Sequence, residues 1–226
     1  MTCRIYAVAG DYYHRADWSE QALRAAADVL EQRHLLSDST GPAFELSMVP
    51  AEKLREALGE RPDVLVITKE QRLFPEASEP GQWMDEELQA GIERYVSSGG
   101  ALLALHSGLA YQTDGIYRRM LRGWFLHHPE QKTVRYRIVT GAGHVRLTAD
   151  ADFAFKDEHY FVHCEEAQTH VFLRSESEDG ESIAGWTHAY GAGRVLCLTP
   201  AHTLEGLTDR AFVQLLADCL QTLHSR

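Results

Sequence analysis

Cysteine is scarce in this chain, and what there is cannot build a scaffold. Only 4 of 226 residues are cysteine. Cys3, Cys164, Cys197 and Cys219 show no CxxC spacing and mostly sit in apolar runs. A disulfide framework is thereby excluded, and small buried thiols in a reducing compartment are expected. Basic residues are outnumbered too. Lys and Arg total 22 against 33 Asp and Glu, a formal net charge of −11. That balance argues against nucleic acid and anionic membrane surfaces as partners. No apolar run approaches membrane-spanning length, and the chain enters a strand at Arg4–Ala9 without an apolar leader. A cytoplasmic location is expected. Internal repeats, low-complexity tracts and linkers are absent as well, so residues 1–226 read as one domain.

What is present is a regular alternation of strand and helix. After the first strand, the loop Asp11-Tyr-Tyr-His-Arg leads to a helix with Asp17 and Glu20 spaced as a capping box. Leu23, Ala26, Ala27 and Leu30 give that helix one apolar face. Phe44–Val49 and Asp63–Thr68 read as short strands, with a helix around Ala51–Leu58 between them and a surface loop over Leu73–Met84. Leu88, Ile92, Tyr95 and Val96 form the buried stripe of a helix stopped by Gly99-Gly100. Beyond residue 120 the pattern changes to strands at Val134–Val139, Thr169–Arg174, Ser182–Thr187 and Arg194–Leu198, with Gly191-Ala192-Gly193 as a tight turn. An irregular insertion is expected from about Gln112 to His170. Phe212, Leu215, Leu216, Cys219, Leu220 and Leu223 mark a C-terminal helix. The rhythm predicts an α/β domain with an open, mostly parallel sheet and helices on both faces.

The strand Ala101–Leu105 is wholly apolar and turns abruptly through His106-Ser107-Gly108. In α/β hydrolases and glutamine amidotransferases such an elbow carries a Ser or Cys nucleophile at its apex; here the apex is His106. Ligands of open α/β sheets bind beyond the carboxyl ends of the strands. That rule selects Asp11, Tyr13 and His14 after the first strand, His106 and Ser107 at the elbow, and His202 after the last strand. Trp124-Phe125-Leu-His127-His128 and Asp157-Glu158-His159-Tyr160 add imidazoles, carboxylates and a phenol. Groups of this kind bind divalent metals or move protons on a polyol. No spacing matches a metal signature such as HExxH, so spacing alone does not establish a metal site. Trp83 and Trp124 read as exposed aromatics compatible with a homodimer.

In order along the chain, these motifs resemble the ThuA-like, trehalose-utilisation family. The residues that carry the resemblance are the early loop ending in His14, Gly99-Gly100 to His106-Ser107, and Phe125-Leu-His-His128-Pro129. His144 then precedes Asp157-Glu158-His-Tyr160, followed by Trp186, Tyr190-Gly191-Ala-Gly193-Arg194-Val195 and His202. The chain departs from the family pattern at Ala201-His202, where Gly-His is usual, and at His144-Val145, where His-Pro is usual. The resemblance implies a flavodoxin-like, class I glutamine amidotransferase-like fold and a role in the use of sugars. It does not carry over glutaminase activity. His106 replaces the nucleophilic cysteine of those enzymes, an imidazole does not readily form the glutamyl thioester, and Glu205 lies at +3 from His202 rather than +2.

Two readings of function follow. In the first the protein is an enzyme acting on a sugar or oxidised sugar derivative. His106, His202 and Glu158 would then be catalytic, and His14, His106, His128 and His202 would be candidate ligands of a divalent metal, zinc foremost. Tyr13, His14, Ser107, His128, Tyr160 and Trp186 would contact a small-molecule carbohydrate. In the second reading the protein binds carbohydrate or assembles with partners without catalysis, having kept the pocket and lost the nucleophile. Several ionisable groups in one pocket favour the first, because a pure sugar binder works equally well with amides and aromatics.

Overall fold

Two central strands set the architecture, because both are buried along their whole length. In the computed structural model, which describes residues 2–36, 43–139, 145, 147–148 and 152–224, these are β3 (Val64–Thr68) and β4 (Ala101–Leu105). Their unbroken apolar sequence suits strands covered on both faces. Around them the chain runs through β1 (Thr2–Ala9), α1 (Ala16–Leu36), β2 (Ala43–Met48), a short helix α2 (Leu54–Ala57) and, after β3, α3 (Glu86–Ser97). After β4 come α4 (Ile116–Leu121), β5 (Gly123–His127), β6 (Lys132–Ile138), β7 (Phe153–Asp157) and β8 (Phe161–Cys164). The chain ends with β9 (His170–Ser177), β10 (Gly180–Tyr190), β11 (Gly193–Leu198), α5 (Leu204–Leu207) and α6 (Arg210–His224).

Nine strands form one sheet in the order β2-β1-β3-β4-β11-β10-β9-β6-β7. The first five are mutually parallel in the flavodoxin-type order, with β1 and β3 flanking the point where strand order reverses. The other four extend the sheet antiparallel from β11. Alternate side chains of β4 divide the interior. Leu103 and Leu105 join the core beneath α1 and α6, while Leu102 and Ala104 join the core beneath α3 and α4.

Several local expectations change in the structure. The helix α1 begins at Ala16, one residue before Asp17, so Asp17 and Glu20 lie inside it and form no capping box; their carboxylates pair with Arg15 and Arg24 instead. Carboxylates cap other helices: at α3 Asp85 accepts from the backbone N–H of Leu88 at 2.8 Å, and at α6 Asp209 accepts from those of Ala211 and Phe212 at 2.9 and 3.0 Å. The 51–60 stretch is broken into 3-10 turns around α2 rather than one helix. The described part of residues 112–170 is ordered: α4 packs against α3, β6 and β7 widen the main sheet, and β5 pairs with β8 in a separate two-stranded sheet. His144 lies outside the described residues. Trp83 and Trp124 are half-buried, Trp124 between the Arg118 guanidinium at 3.7 Å and the His163 ring at 4.2 Å, so neither is a free exposed ring.

Candidate metal and sugar site

The elbow after β4 positions the first imidazole. His106 takes a left-handed backbone conformation at φ 46° and opens a 3-10 turn through Leu109. This strained conformation turns the chain sharply and leaves the imidazole at the carboxyl edge of the sheet. Gly108 makes the turn feasible, because a Cβ there would overlap the carbonyl oxygen of Ile67 in β3. The His106 Nδ1–H donates to the Thr199 carbonyl oxygen at 2.6 Å, which leaves Nε2 as the lone-pair nitrogen. Tyr160 stacks on the ring at 4.1 Å between centroids and 24° between planes.

The loop after β1 supplies the second imidazole by the same logic. Asp11 is a hub: Oδ1 accepts from the backbone N–H of Tyr13 and His14 and from His14 Nδ1 at 2.6 Å, while Oδ2 accepts from the backbone N–H of Glu70. Burial raises the Asp11 pKa, but hydrogen bonds from His14 and the backbone outweigh it and hold the carboxyl at about 2. His14 Nε2 is buried and has no protein partner. The loop after β11 supplies His202, whose backbone N–H donates to Asp157 Oδ1 at 2.7 Å. Asp157 itself is buried, receives the Tyr136 hydroxyl at 2.6 Å, and is pushed up to about 6 chiefly by that burial.

Glu158 closes the group. Its Oε2 lies 3.1 Å from His202 Nδ1, 3.7 Å from His106 Nε2 and 3.8 Å from His128 Nε2. One donor atom each from His14, His106, Glu158 and His202 falls within 4.8 Å of all the others. Burial holds His106 down at about 4, so its ring is neutral at physiological pH. Burial pushes Glu158 up, yet hydrogen bonds from His106 and His202 outweigh it and hold the carboxyl well below the usual carboxylate range; burial pushes His202 down, and its hydrogen bond to Glu158 carries it above the usual imidazole range. A neutral imidazole and an ionised carboxylate are the forms that bind metals. The Asp11 and Thr199 contacts fix tautomer and ring orientation as the outer partners of metal-ligating histidines do. The thiols are no substitute nucleophile: all four are free, none lies at the elbow, and burial pushes Cys3 to about 12 and Cys164 to about 11.

The cluster forms one end of a cavity of about 760 Å³ at the strand-order reversal. Tyr13, His128 and Tyr160 line it with His14, Glu158 and His202, and Phe125 adds an aromatic wall. Two sequence-selected residues are not there. Ser107 is wholly buried behind the elbow, and Trp186 is wholly buried in the core with its Nε1–H donating to the Leu121 carbonyl at 2.9 Å. Neither opens to the cavity: Ser107 is enclosed within the turn that follows β4, and Trp186, a strand residue aimed into the core, is sealed by the end of α4. His127 stacks on Phe161 outside the cavity, and His159 is held between the Ser175 and Ser177 hydroxyls. Glu70, Gln71 and Arg72 line the cavity without having been selected from sequence. The strand-end rule applied to β3 points to them, since they directly follow Thr68 and Lys69.

Fold and cavity together define a flavodoxin-type α/β domain with a histidine-rich site at its switch point. The sequence pattern of the ThuA family, described as trehalose utilisation, matches residues 12–221. This chain belongs to that family. A ThuA-like protein from Parabacteroides merdae superposes with a TM-score of 0.74 at 14% identity, covering 100% of this chain and 91% of that one. A cytoplasmic protein from Salmonella typhimurium is similar with a TM-score of 0.63 at 13% identity, covering 97% and 99%. A β-galactosidase from Bacillus circulans matches with a TM-score of 0.58 at 13% identity, over 96% of this chain and 30% of its own. Identities this low bear on fold alone. Among curated proteins, none matches the sequence. No helix among the described residues is long and apolar enough to cross a membrane.

Proposed function

We propose that this protein is a cytoplasmic, metal-dependent enzyme acting on a small sugar or an oxidised sugar derivative. In this reading His14, His106, Glu158 and His202 hold a divalent cation, zinc foremost. The observation that carries it is the convergence of three imidazoles and one carboxylate within 4.8 Å. Tetrahedral bonds of about 2.0–2.1 Å would separate ligand atoms by roughly 3.4 Å. The separations of 3.1, 3.4 and 3.7 Å within the His106–His202–Glu158 group bracket that value. The unpartnered, buried His14 Nε2 is a further donor in want of an acceptor of its lone pair.

A bound cation would supply Lewis-acid polarisation of a sugar carbonyl or hydroxyl oxygen and a water of lowered pKa. The chain's own residues bind and orient the sugar and carry protons. Tyr160 and Phe125, 4.4 Å apart, present an aromatic wall to a sugar ring. His128, which lines the cavity with its Nε2 3.8 Å from Glu158 and is not one of the four proposed ligands, is the group placed to exchange a proton with substrate. The free thiols suit a reducing compartment.

The test is elemental analysis of untagged protein and of His106→Ala and His202→Ala. Near-stoichiometric transition metal in the wild type, lost in both variants, is the expected result. A wild type that takes up no metal even when it is added back refutes the metal centre. If the protein only binds sugar, His106→Ala weakens binding modestly and no product ever forms.

A further inference from the structure

The amino edge of the sheet, opposite the histidine cluster, carries a second cleft of about 590 Å³. It lies between the 54–61 segment and α3, where Arg61 runs into β3 and Ser97 and Ser98 run into β4. Its volume falls within the roughly 300–1,000 Å³ of small-molecule pockets. Arg55, Arg61 and Arg94 line it, against the single carboxylate of Glu87. In a chain of 22 basic and 33 acidic residues, that reverses the prevailing charge.

Two of these guanidiniums are unspent. Arg55 pairs with Asp85 at 2.9 Å and also with Glu87. Arg61 and Arg94 are exposed, and among the described residues neither side chain makes a hydrogen bond or ion pair. Carboxylates close to them in sequence are engaged elsewhere. Glu60 accepts from the Tyr6 hydroxyl, Asp63 from the Arg4 backbone N–H at 2.9 Å, and Glu93 from the Tyr190 hydroxyl at 2.6 Å. Nor is Arg94 consumed in capping α3. The carbonyl oxygens of Arg94, Tyr95, Val96 and Ser97 already accept from the backbone N–H groups of Ser98, Gly100, Gly99 and Ala192.

The backbone around the cleft favours space over stability. Arg61 holds a left-handed conformation at φ 52°, which a residue with a Cβ adopts only at a cost. Strained backbone of this kind clusters at ligand sites. The Arg4 guanidinium fixes it there by donating to the Glu60 and Arg61 carbonyls, each at 2.8 Å. Gly91 lies inside α3, where alanine would be the better helix former. No close contact demands a glycine, since a Cβ would stand 3.8 Å from Leu58 Cδ1 and 3.9 Å from Arg94 Nη2. Its absence leaves an open floor beside the Arg94 guanidinium, bordered by Leu58, Leu88 and Tyr95. Unpaired guanidiniums over an apolar floor suit a phosphate group attached to a small organic body.

We infer that this cleft is a ligand site separate from the histidine cluster, and that it binds small phosphate monoesters. Arg61 and Arg94 hold the phosphate, and Leu58, Leu88 and Tyr95 meet the organic part. The inference depends on neither the metal nor the sugar.

The experiment is calorimetric titration at low ionic strength of wild type, Arg61→Gly, Arg94→Ala, Gly91→Leu and His202→Ala. The probes are inorganic phosphate, phenyl phosphate and a triglutamate peptide. Wild type should bind phenyl phosphate more tightly than inorganic phosphate, and added salt should weaken both. Charge-assisted hydrogen bonds predict a loss of about ten- to a hundredfold in Arg61→Gly and in Arg94→Ala. Glycine suits φ 52°, so the first of these removes the side chain without adding strain. Gly91→Leu should keep the wild-type melting temperature and lose phenyl phosphate, because the new side chain fills the floor. His202→Ala should bind as wild type does. Undiminished binding in both arginine variants overturns the site. So does binding lost only in His202→Ala, which would place the phosphate at the histidine cluster. Tighter binding of triglutamate overturns it in favour of an acidic peptide. Binding of none of the probes at millimolar concentrations overturns it outright.

Discussion

Gly108→Ala is the most demanding test of how the fold builds the site. The added Cβ would overlap the Ile67 carbonyl oxygen and stand 3.0 Å from the Ile67 carbonyl carbon and 3.7 Å from its Cγ2. Carbon atoms prefer about 3.5–4.0 Å, so the atoms in the way must retreat by several tenths of an ångström or more. They are main-chain atoms of β3, which is paired to β1 on one side and β4 on the other, and no rotamer change relieves the clash. Overpacking in a well-packed core costs about 1–3 kcal/mol, occasionally more. A backbone clash at the sheet centre belongs at or just above the top of that range, about 3–4 kcal/mol. At about 2–4 °C per kcal/mol for a chain of this size, the melting temperature should fall by roughly 6–16 °C. Relief by moving the elbow would carry His106 away from Glu158 and His202, so metal content should fall as well. Thermal and urea melts combined with elemental analysis give both readings. A variant within about 1 kcal/mol of wild type that keeps its metal would refute the close packing of the elbow on β3.

Asp11→Asn replaces the acceptor of the His14 Nδ1–H with a group that need not hold the same tautomer, and should weaken metal affinity about 10–100-fold in a chelator competition. Unchanged affinity would show that the loop does not preset His14. Trp186→Phe removes the indole N–H bonded to Leu121, so it should cost about 1–3 kcal/mol in urea melts and leave sugar affinity unaltered; a selective loss of affinity would restore Trp186 to the site. His188 is buried, its Nε2–H donates to the Met120 carbonyl, and burial lowers its pKa to about 4. Because the unfolded chain binds the proton more readily, this neutral imidazole contributes stability that is complete above about pH 6.5 and is lost as pH falls toward 4. His188→Gln should flatten that decline in melts across the window, and an equally steep decline would place the pH dependence elsewhere.

The contrast between Trp186 and Glu70 shows where sequence reasoning reaches its limit. Both follow or lie in strands, and both have side chains suited to sugar. Whether a strand residue meets ligand or core depends on which layer covers that point, and the cover comes from segments far away in the chain. Trp186 is sealed by the 121–123 segment, whereas Glu70 opens into the cavity between the loops after β1, β3 and β4. The antiparallel half of the sheet was equally hard to read as a continuation of the first. Strands such as β6 and β7 alternate apolar and polar residues, which signals a strand without naming its partner.

By itself the sequence determined the elements whose signals are local. The apolar runs of β3 and β4, the heptad-like face of α6, the glycine stop after α3 and the His-Ser-Gly elbow all follow from side-chain periodicity and backbone freedom within a few residues. It also determined that His14, His106 and His202 stand at strand ends, because that placement needs only the strand boundaries and the strand-end rule. Only the tertiary structure decided that these three meet Glu158 within 4.8 Å, that Ser107 and Trp186 are sealed away, and that Glu70 and Arg72 line the same cavity. The reason is that convergence depends on strand order and on the packing of distant loops, which are long-range properties of the folded chain and leave no periodic trace along it.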